Sequence, residues 1–316
     1  MIRFYERLFP ANRKAYWKIL GKDIIRDREL YLLLLPVLAN FIIFHYLPIY
    51  GLQVAFKRYN IGLGIAGSPW VGFTNFINFF TSFNFVNITL NTLIISLYLI
   101  VIGFPLPIIF ALILNEVRHR RFKKFTQTIS YLPNFISSVV LVGMLFQLFA
   151  QLGPVNQIIE ALGGETVYFL GSTSTFRPLY VGMELWRGTG FGAIIYISAI
   201  TSIDQELYEA ASIDGANALK RMWHITLPCL LPTITIIFIL RMGGILNVGW
   251  QEIYLIQNPS NVEVAEVIGT FVYKRGMINA DYAYGSAVGM FNSIISLLFV
   301  LMTNQIAKRV GETTLF

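Results

Sequence analysis

Six apolar runs, each close to the length that crosses a lipid bilayer, constrain this chain more than any other feature. Roughly 20 residues rising 1.5 Å each traverse a hydrocarbon core of about 30 Å. The runs are Leu30 to Tyr50, Ile88 to Leu114, Thr126 to Ala150, Leu179 to Ile203, Pro228 to Val248 and Tyr284 to Ala307. With a mean hydropathy of +0.62 and only 13% charged residues, the chain is too apolar for an ordinary water-soluble domain. The expectation is an all-α integral membrane protein of about six transmembrane helices. Pro105-Leu-Pro107 and the glycines of Gly188-Thr-Gly190-Phe-Gly192 are expected to kink or loosen their helices, which neighbouring helices in a bundle tolerate.

The net charge of +7 falls on alternate sides of the runs, which argues against a nucleic-acid partner. Basic residues crowd the segment before the first run, the Arg118 to Lys124 loop, Lys220 and Arg221, and Lys308 and Arg309. The other loops hold only Lys57, Arg58, Arg177, Lys274 and Arg275, against a larger set of acids. The positive-inside rule therefore places both termini and the loop between runs four and five in the cytoplasm, and the Gly51 to Asn87 stretch outside. About 29 polar, basic residues precede the first run and no small-residue cleavage site follows it, so it is expected to stay as an anchor.

Two regions are expected: a basic cytoplasmic or interfacial segment over 1–29, and a transmembrane domain over 30–316. Phe4 to Ile25 mixes aromatic and basic residues in the manner of a helix lying on the cytoplasmic leaflet, or equally of a basic tail without specific structure. No internal repeat or Pro/Gly/Ser-rich linker divides the remainder. The lone Cys229 can make no internal disulfide and reads as a small core residue.

The loop over 204–227 is polar and helical in pattern although it lies between two membrane runs. Asp204 suits an N-cap for a helix from Gln205 to Ile213, which Asp214-Gly215 would end in a left-handed turn. A second helix is expected from about Ala216 to Pro228. Ala210, Ala211, Ala216 and Ala218 keep the pair slim enough to enter a groove on another protein. Leu219, Met222 and Trp223, at helical spacing, would supply an apolar knob, with Glu209 and Asp214 free to cap or pair. The bland alternative is an amphipathic loop packed only against its own bundle.

The ordered set Glu209, Ala210, Ala211, Asp214, Gly215, Ala216, Ile225, Leu227 and Pro228 resembles the EAA loop of binding-protein-dependent ABC importer permeases. Met222 stands where that pattern often has Phe. The resemblance extends from about Asp27 to Phe316 and is greatest to carbohydrate-uptake permeases of the complex-sugar and polysaccharide branch. Arg26-Asp-Arg-Glu-Leu-Tyr-Leu-Leu-Leu-Leu-Pro36, Ala55-Phe-Lys-Arg-Tyr-Asn60 and Ser68-Pro-Trp-Val-Gly-Phe73 carry that finer likeness.

The resemblance implies the type I ABC importer permease fold, in which the loop docks as a coupling helix on a cytoplasmic ATPase. Its coupling residues would be Glu209, Ala210, Ala211, Asp214, Gly215, Ala216, Met222 and Trp223. It also implies a second homologous permease, two ATPase subunits, an extracytoplasmic solute-binding protein, and a bacterial cytoplasmic (inner) membrane location. The chain has no G-x-x-x-x-G-K-[ST] phosphate loop, so it is expected to bind no cofactor of its own and to be no enzyme, with ATP and Mg held by the partner ATPase.

Polar groups within the runs need a partner or a cavity, because an unpaired charge there costs at least a few kcal/mol. Glu184 and Arg187, three apart, are expected to pair. Trp186, Arg187, Tyr196, Asn247, Trp250, Gln251, Phe291 and Asn292 supply the aromatic faces and planar polar groups that bind sugars, and are candidates for a substrate path. Each alone reads first as interhelical glue or an interface aromatic, and only as a set do they read equally as a path. ATP-driven import of a carbohydrate, an oligosaccharide in particular, by alternating access is the favoured function. Import of another polar solute such as a phosphorylated polyol, or secondary transport, remains as the alternative.

Overall fold

The computed structural model describes residues 26–310 and Thr314; the Phe4 to Ile25 segment lies outside the described residues. Helices dominate throughout, and the one pairing of extended backbone among the described residues is an isolated antiparallel bridge between Lys57 and Trp70.

Four continuous helices are long and apolar enough to cross a membrane: Arg28–Phe56, Phe85–Glu116, Ala218–Gly243 and Tyr282–Arg309. The third run is not straight. It breaks between Arg120–Phe135 and Ser138–Leu148, which meet at 103°, and counting this pair as one span gives five. The fourth run lies on Thr173–Thr201, whose 29 residues extend about 43 Å but carry Glu184, Arg187 and several glycines and hydroxyls. That helix is long enough to cross yet less apolar than the others, so the expected six spans are not reproduced as six uniform apolar helices.

Pro105 begins a new helical segment after a turn at residues 102–104, as its missing N–H favours. Gly188 to Gly192 do not break Thr173–Thr201. Gly190 instead admits the broken span, since a Cβ there would stand 2.1 Å from the Ser130 carbonyl oxygen.

Helices 85–116 and 173–201 run parallel and share two apolar clusters. Near their starts, Ile95 and Leu99 pack with Phe176, Tyr180, Leu141 and Ile253. Near their ends, Ile108, Ala111 and Leu112 pack with Ala193, Tyr196, Ile200 and Leu230. A third cluster, around Phe79, Ile88, Leu246, Ile268 and Val288, closes the end from which both helices start.

Between 244 and 268 the backbone leaves helix repeatedly, and non-helical backbone in a membrane protein needs protein partners. The first half of helix 85–116 supplies them from neighbouring positions. Asn91 Nδ2 donates to the carbonyls of Glu263 and Glu266 at 2.8 and 3.0 Å. Ser96 Oγ donates to the Ile245 carbonyl, and Thr92 Oγ1 accepts from the Ile268 N–H at 2.9 Å. The span Arg28–Phe56 differs from all of these, having no buried residue along Arg28–Phe41.

Candidate functional site

The 204–227 loop projects from the end of the bundle where helices 85–116 and 173–201 finish. Its first helix is Gln205–Ile213, as the sequence leads one to expect. Asp204 Oδ1 caps it by accepting from the Glu206 N–H at 3.0 Å. Its end is a Schellman arrangement: the Ala216 N–H donates to the Ala211 carbonyl at 2.9 Å, and the Gly215 N–H to that of Ser212 at 3.1 Å. Gly215 takes φ +76°, a left-handed conformation that costs a side-chain-bearing residue about 1–2 kcal/mol.

The second helix starts two residues later than Ala216, at Ala218. Asn217 Oδ1 caps it by accepting from the Lys220 N–H at 2.9 Å. It then runs on without interruption, through a π-helical turn at Met222–Thr226, into the membrane helix that ends at Gly243. The loop is therefore half of a lever. Its second helix is the protruding end of a 26-residue element.

Two side-chain bridges brace the short first helix against that element. Tyr208 Oη and Thr226 Oγ1 are 2.9 Å apart. Arg221 Nη1 donates to Ser212 Oγ at 2.6 Å, and Ser212 Oγ donates to the Tyr208 carbonyl at 2.6 Å. Partners 18 and 9 residues apart leave no local periodicity, so sequence reading passed over them.

Glu209, Ala210, Asp214 and Gly215 are exposed, and Ala211 and Ala216 half-buried. The expected Met222 and Trp223 knob is divided. Met222 packs inward on the cluster around Tyr196 and Leu230, while Trp223 stays 61% exposed. The larger apolar contribution to the free face comes from Ile213 and Leu219, 86% and 64% exposed.

The eight candidates for a substrate path differ in burial and in what they touch. Tyr196 is core, with 2% of its surface exposed. Phe291 belongs to an aromatic cluster, its ring centroid 5.5 Å from that of Phe79 and 5.4 Å from that of Phe80. Asn292 Nδ2 donates to Asn247 Oδ1 at 3.0 Å, joining helix 282–310 to the stretch after Gly243. Trp250 lies against Tyr273 at 4.9 Å between ring centroids, and Gln251 is exposed. Trp186 borders an apolar cavity of about 560 Å³ between helices 138–148 and 173–201.

Arg187 does meet Glu184, at 3.6 Å, but its close partner is Glu252 at 2.5 Å. Ser138 Oγ donates to the same Glu252 oxygen at 2.5 Å. The three groups tie helix 173–201, the short helix Trp250–Ile256 and the N-terminus of Ser138–Leu148 at one point. The sequence pairing i, i+3 was correct but secondary to a long-range one.

A bundle of long apolar helices, one of which extends into a capped and braced polar loop, has the architecture of an ABC importer permease. The match to known proteins is specific: residues 103–312 fit the family of binding-protein-dependent transport system inner membrane components, and the chain belongs to that family. It is 42% identical to the polygalacturonan/rhamnogalacturonan transport system permease protein YteP of Bacillus subtilis over 96% of this chain and 95% of that one. It is likewise 42% identical to protein LplB of the same organism, over 97% and 99%. The permease in the crystal structure of a bacterial ABC transporter for import of the acidic polysaccharide alginate superposes with a TM-score of 0.86. That chain is 40% identical, with 93% of this chain and 99% of that one covered. The same fit extends to the alginate transporter in complex with an alginate pentasaccharide-bound periplasmic protein, over 94% of this chain. The protein is thus a transport permease subunit of a membrane and not an enzyme.

Proposed function

We propose that this chain is one of two transmembrane subunits of an ATP-driven importer for an oligosaccharide, and that it works by alternating access. The observation that carries the proposal is the continuity of the 204–227 loop with helix 218–243. A push on Gln205–Ile213 is transmitted through the Tyr208–Thr226 and Arg221–Ser212 bridges to an element that reaches the interior of the bundle.

The ATP and its Mg sit on a cytoplasmic ATPase, of which two copies serve the pair of permeases. The exposed Ile213, Leu219 and Trp223 supply the apolar contact with it, and Glu209, Ala210, Ala211, Asp214, Gly215 and Ala216 give the slim profile and shape of the docking helix. A homologous permease completes the path, and the Arg28–Phe41 part of the first span, unburied by its own chain, is available to it and to lipid. An extracytoplasmic binding protein delivers the cargo. Relatives named for polygalacturonan, rhamnogalacturonan and alginate support a carbohydrate of several units. The distribution of Lys and Arg supports cytoplasmic termini in a bacterial cytoplasmic membrane.

The test is copurification of the ATPase, followed by cargo-stimulated ATP hydrolysis with Glu209→Ala and Gly215→Val. Loss of stimulation with the ATPase's own basal turnover retained is the expected result. Undiminished stimulation in both variants would refute the role of the loop.

A further inference from the structure

A second recess lies at the opposite end of the bundle from the 204–227 loop, where helices 85–116 and 282–310 begin. It has a volume of about 330 Å³ and is bordered by Asn84, Asn87, Glu263, Phe271, Arg275 and Asn279. Its chemistry contrasts with the apolar cavity beside Trp186.

The side-chain amides of Asn84 and Asn279 have no hydrogen-bond partner among the described residues, although both border the recess and are exposed. Glu263 likewise offers a free carboxylate, while its backbone carbonyl is held by Asn87 and Asn91 at 2.8 Å each. Arg275 donates from Nε to Asp281 at 3.2 Å and lies over the Tyr284 ring at 5.2 Å, while no hydrogen bond to the described residues engages its terminal nitrogens. Lys274 and Glu266, also at the border, neutralise one another at 2.6 Å and contribute little net field. Ile88 and Phe271 give the recess an apolar side.

Two amides, a carboxylate and a guanidinium arranged beside apolar surface form a set that bonds adjacent hydroxyls, because each planar group can donate or accept at two neighbouring positions. The small volume is at the lower end of ligand sites and suits one sugar residue with its waters better than a whole oligosaccharide. Rigid fixing of the border supports this use. Asn91 clamps the Glu263 to Glu266 backbone and also accepts from Arg177 Nη2 at 2.7 Å, so the recess has a fixed frame beneath exposed polar groups.

From this arrangement we infer that the recess is an entry subsite, which holds one sugar residue of the cargo as it passes from the binding protein into the permease. The inference rests on the carbohydrate reading given above. None of its residues belongs to the set read from the sequence as a substrate path.

The complete transporter, reconstituted in proteoliposomes with its binding protein, provides the test. The probes are radiolabelled trimers of galacturonate and of alginate. The probe imported by the unmodified transporter is compared in an Asn84→Ala/Asn279→Ala variant and in Asn84→Trp, which fills the recess. Each lost hydrogen bond is worth about a factor of five, so the double variant is expected to lower sub-saturating import roughly tenfold or more. Basal ATP hydrolysis and the affinity for cargo-free binding protein are expected to be unchanged. Unchanged import in both variants would overturn the subsite alone. An equal loss of affinity for cargo-free binding protein would overturn it in favour of a protein-docking socket. Import of neither probe by the unmodified transporter would overturn the carbohydrate reading, and the subsite with it.

Discussion

Replacing Arg187 with Met removes a cation that touches two carboxylates inside the bundle. Glu252 retains only 6% of its side-chain exposure and loses its 2.5 Å partner; Glu184 loses a contact at 3.6 Å. Coulomb attraction falls inversely with distance, so at equal dielectric Glu252 feels about 1.4 times the attraction that Glu184 feels. Only the shorter contact is also a charge-assisted hydrogen bond, which is roughly twice as strong as a neutral one. Breaking a buried pair from one side costs about 3–5 kcal/mol, because the remaining charge is left without compensation. Arg187→Met is therefore expected at the upper part of that range. Glu252→Gln should cost about 2–3 kcal/mol, since Arg187 keeps Glu184 and Ser138 keeps a carbonyl acceptor. Glu184→Gln should cost under about 1 kcal/mol, because it removes a weak attraction and a repulsion from Glu252 together. Reversible unfolding in lipid bicelles, followed by steric trapping, reads all three. Equal costs for the two glutamate variants, or a cost below about 1 kcal/mol for Arg187→Met, would refute the assignment of Glu252 as the principal partner.

Three further outcomes follow from local geometry. Gly215→Ala places a Cβ at φ +76° and should weaken the end of helix 205–213 by about 1–2 kcal/mol, seen as faster amide exchange at Ala216, with Gly215→Asn costing less than half as much. Tyr208→Phe and Thr226→Val each remove one side of the 2.9 Å bridge, and a double-mutant cycle on stability should show a coupling of about 1 kcal/mol. Gly190→Ala brings a Cβ to 2.1 Å from the Ser130 backbone oxygen, so the helix and the broken span must separate; a loss of about 1–3 kcal/mol or more, measured as a fall in Tm of the purified permease, is expected.

Apolar length and charge placement made the membrane class and the 204–227 loop legible, because both depend on local composition. Asp204 and Gly215 were readable as a cap and a left-handed turn for the same reason: each effect is fixed by the residue and its immediate neighbours. Asn217 offered the same kind of signal, and it corrects the start of the second helix from Ala216 to Ala218. The break at Ile136 and Ser137 did carry local signals, Pro133-Asn134 before it and Ser137 as the N-cap of the next helix, but the apolar run on through Leu148 outweighs them in a reading by length and hydropathy. Glycine at 188–192 suggested flexibility within one helix, whereas Gly190 serves close approach between two. Arg187 illustrates the limit most clearly: its i, i+3 neighbour is visible along the chain, but Glu252 becomes adjacent only after the 244–268 stretch folds back. The roles of the candidate substrate-path residues were harder to read for a related reason. Aromatic and amide groups suited to sugars also pack helices, and Tyr196 and Phe291 do the latter.

The 204–227 loop as the point of contact with an ATPase is tested most directly by a cross-link. Cys229, the single cysteine of the chain, is replaced by Ser, and Ile213→Cys is introduced on the exposed end of helix 205–213. In membranes containing the whole transporter, a short heterobifunctional thiol-to-amine reagent should join Ile213→Cys to a lysine of the ATPase subunit, and ATP should change the yield. A Cys at position 213 that reacts freely with a soluble thiol probe in the assembled transporter, and forms no cross-link to the ATPase, would contradict the account.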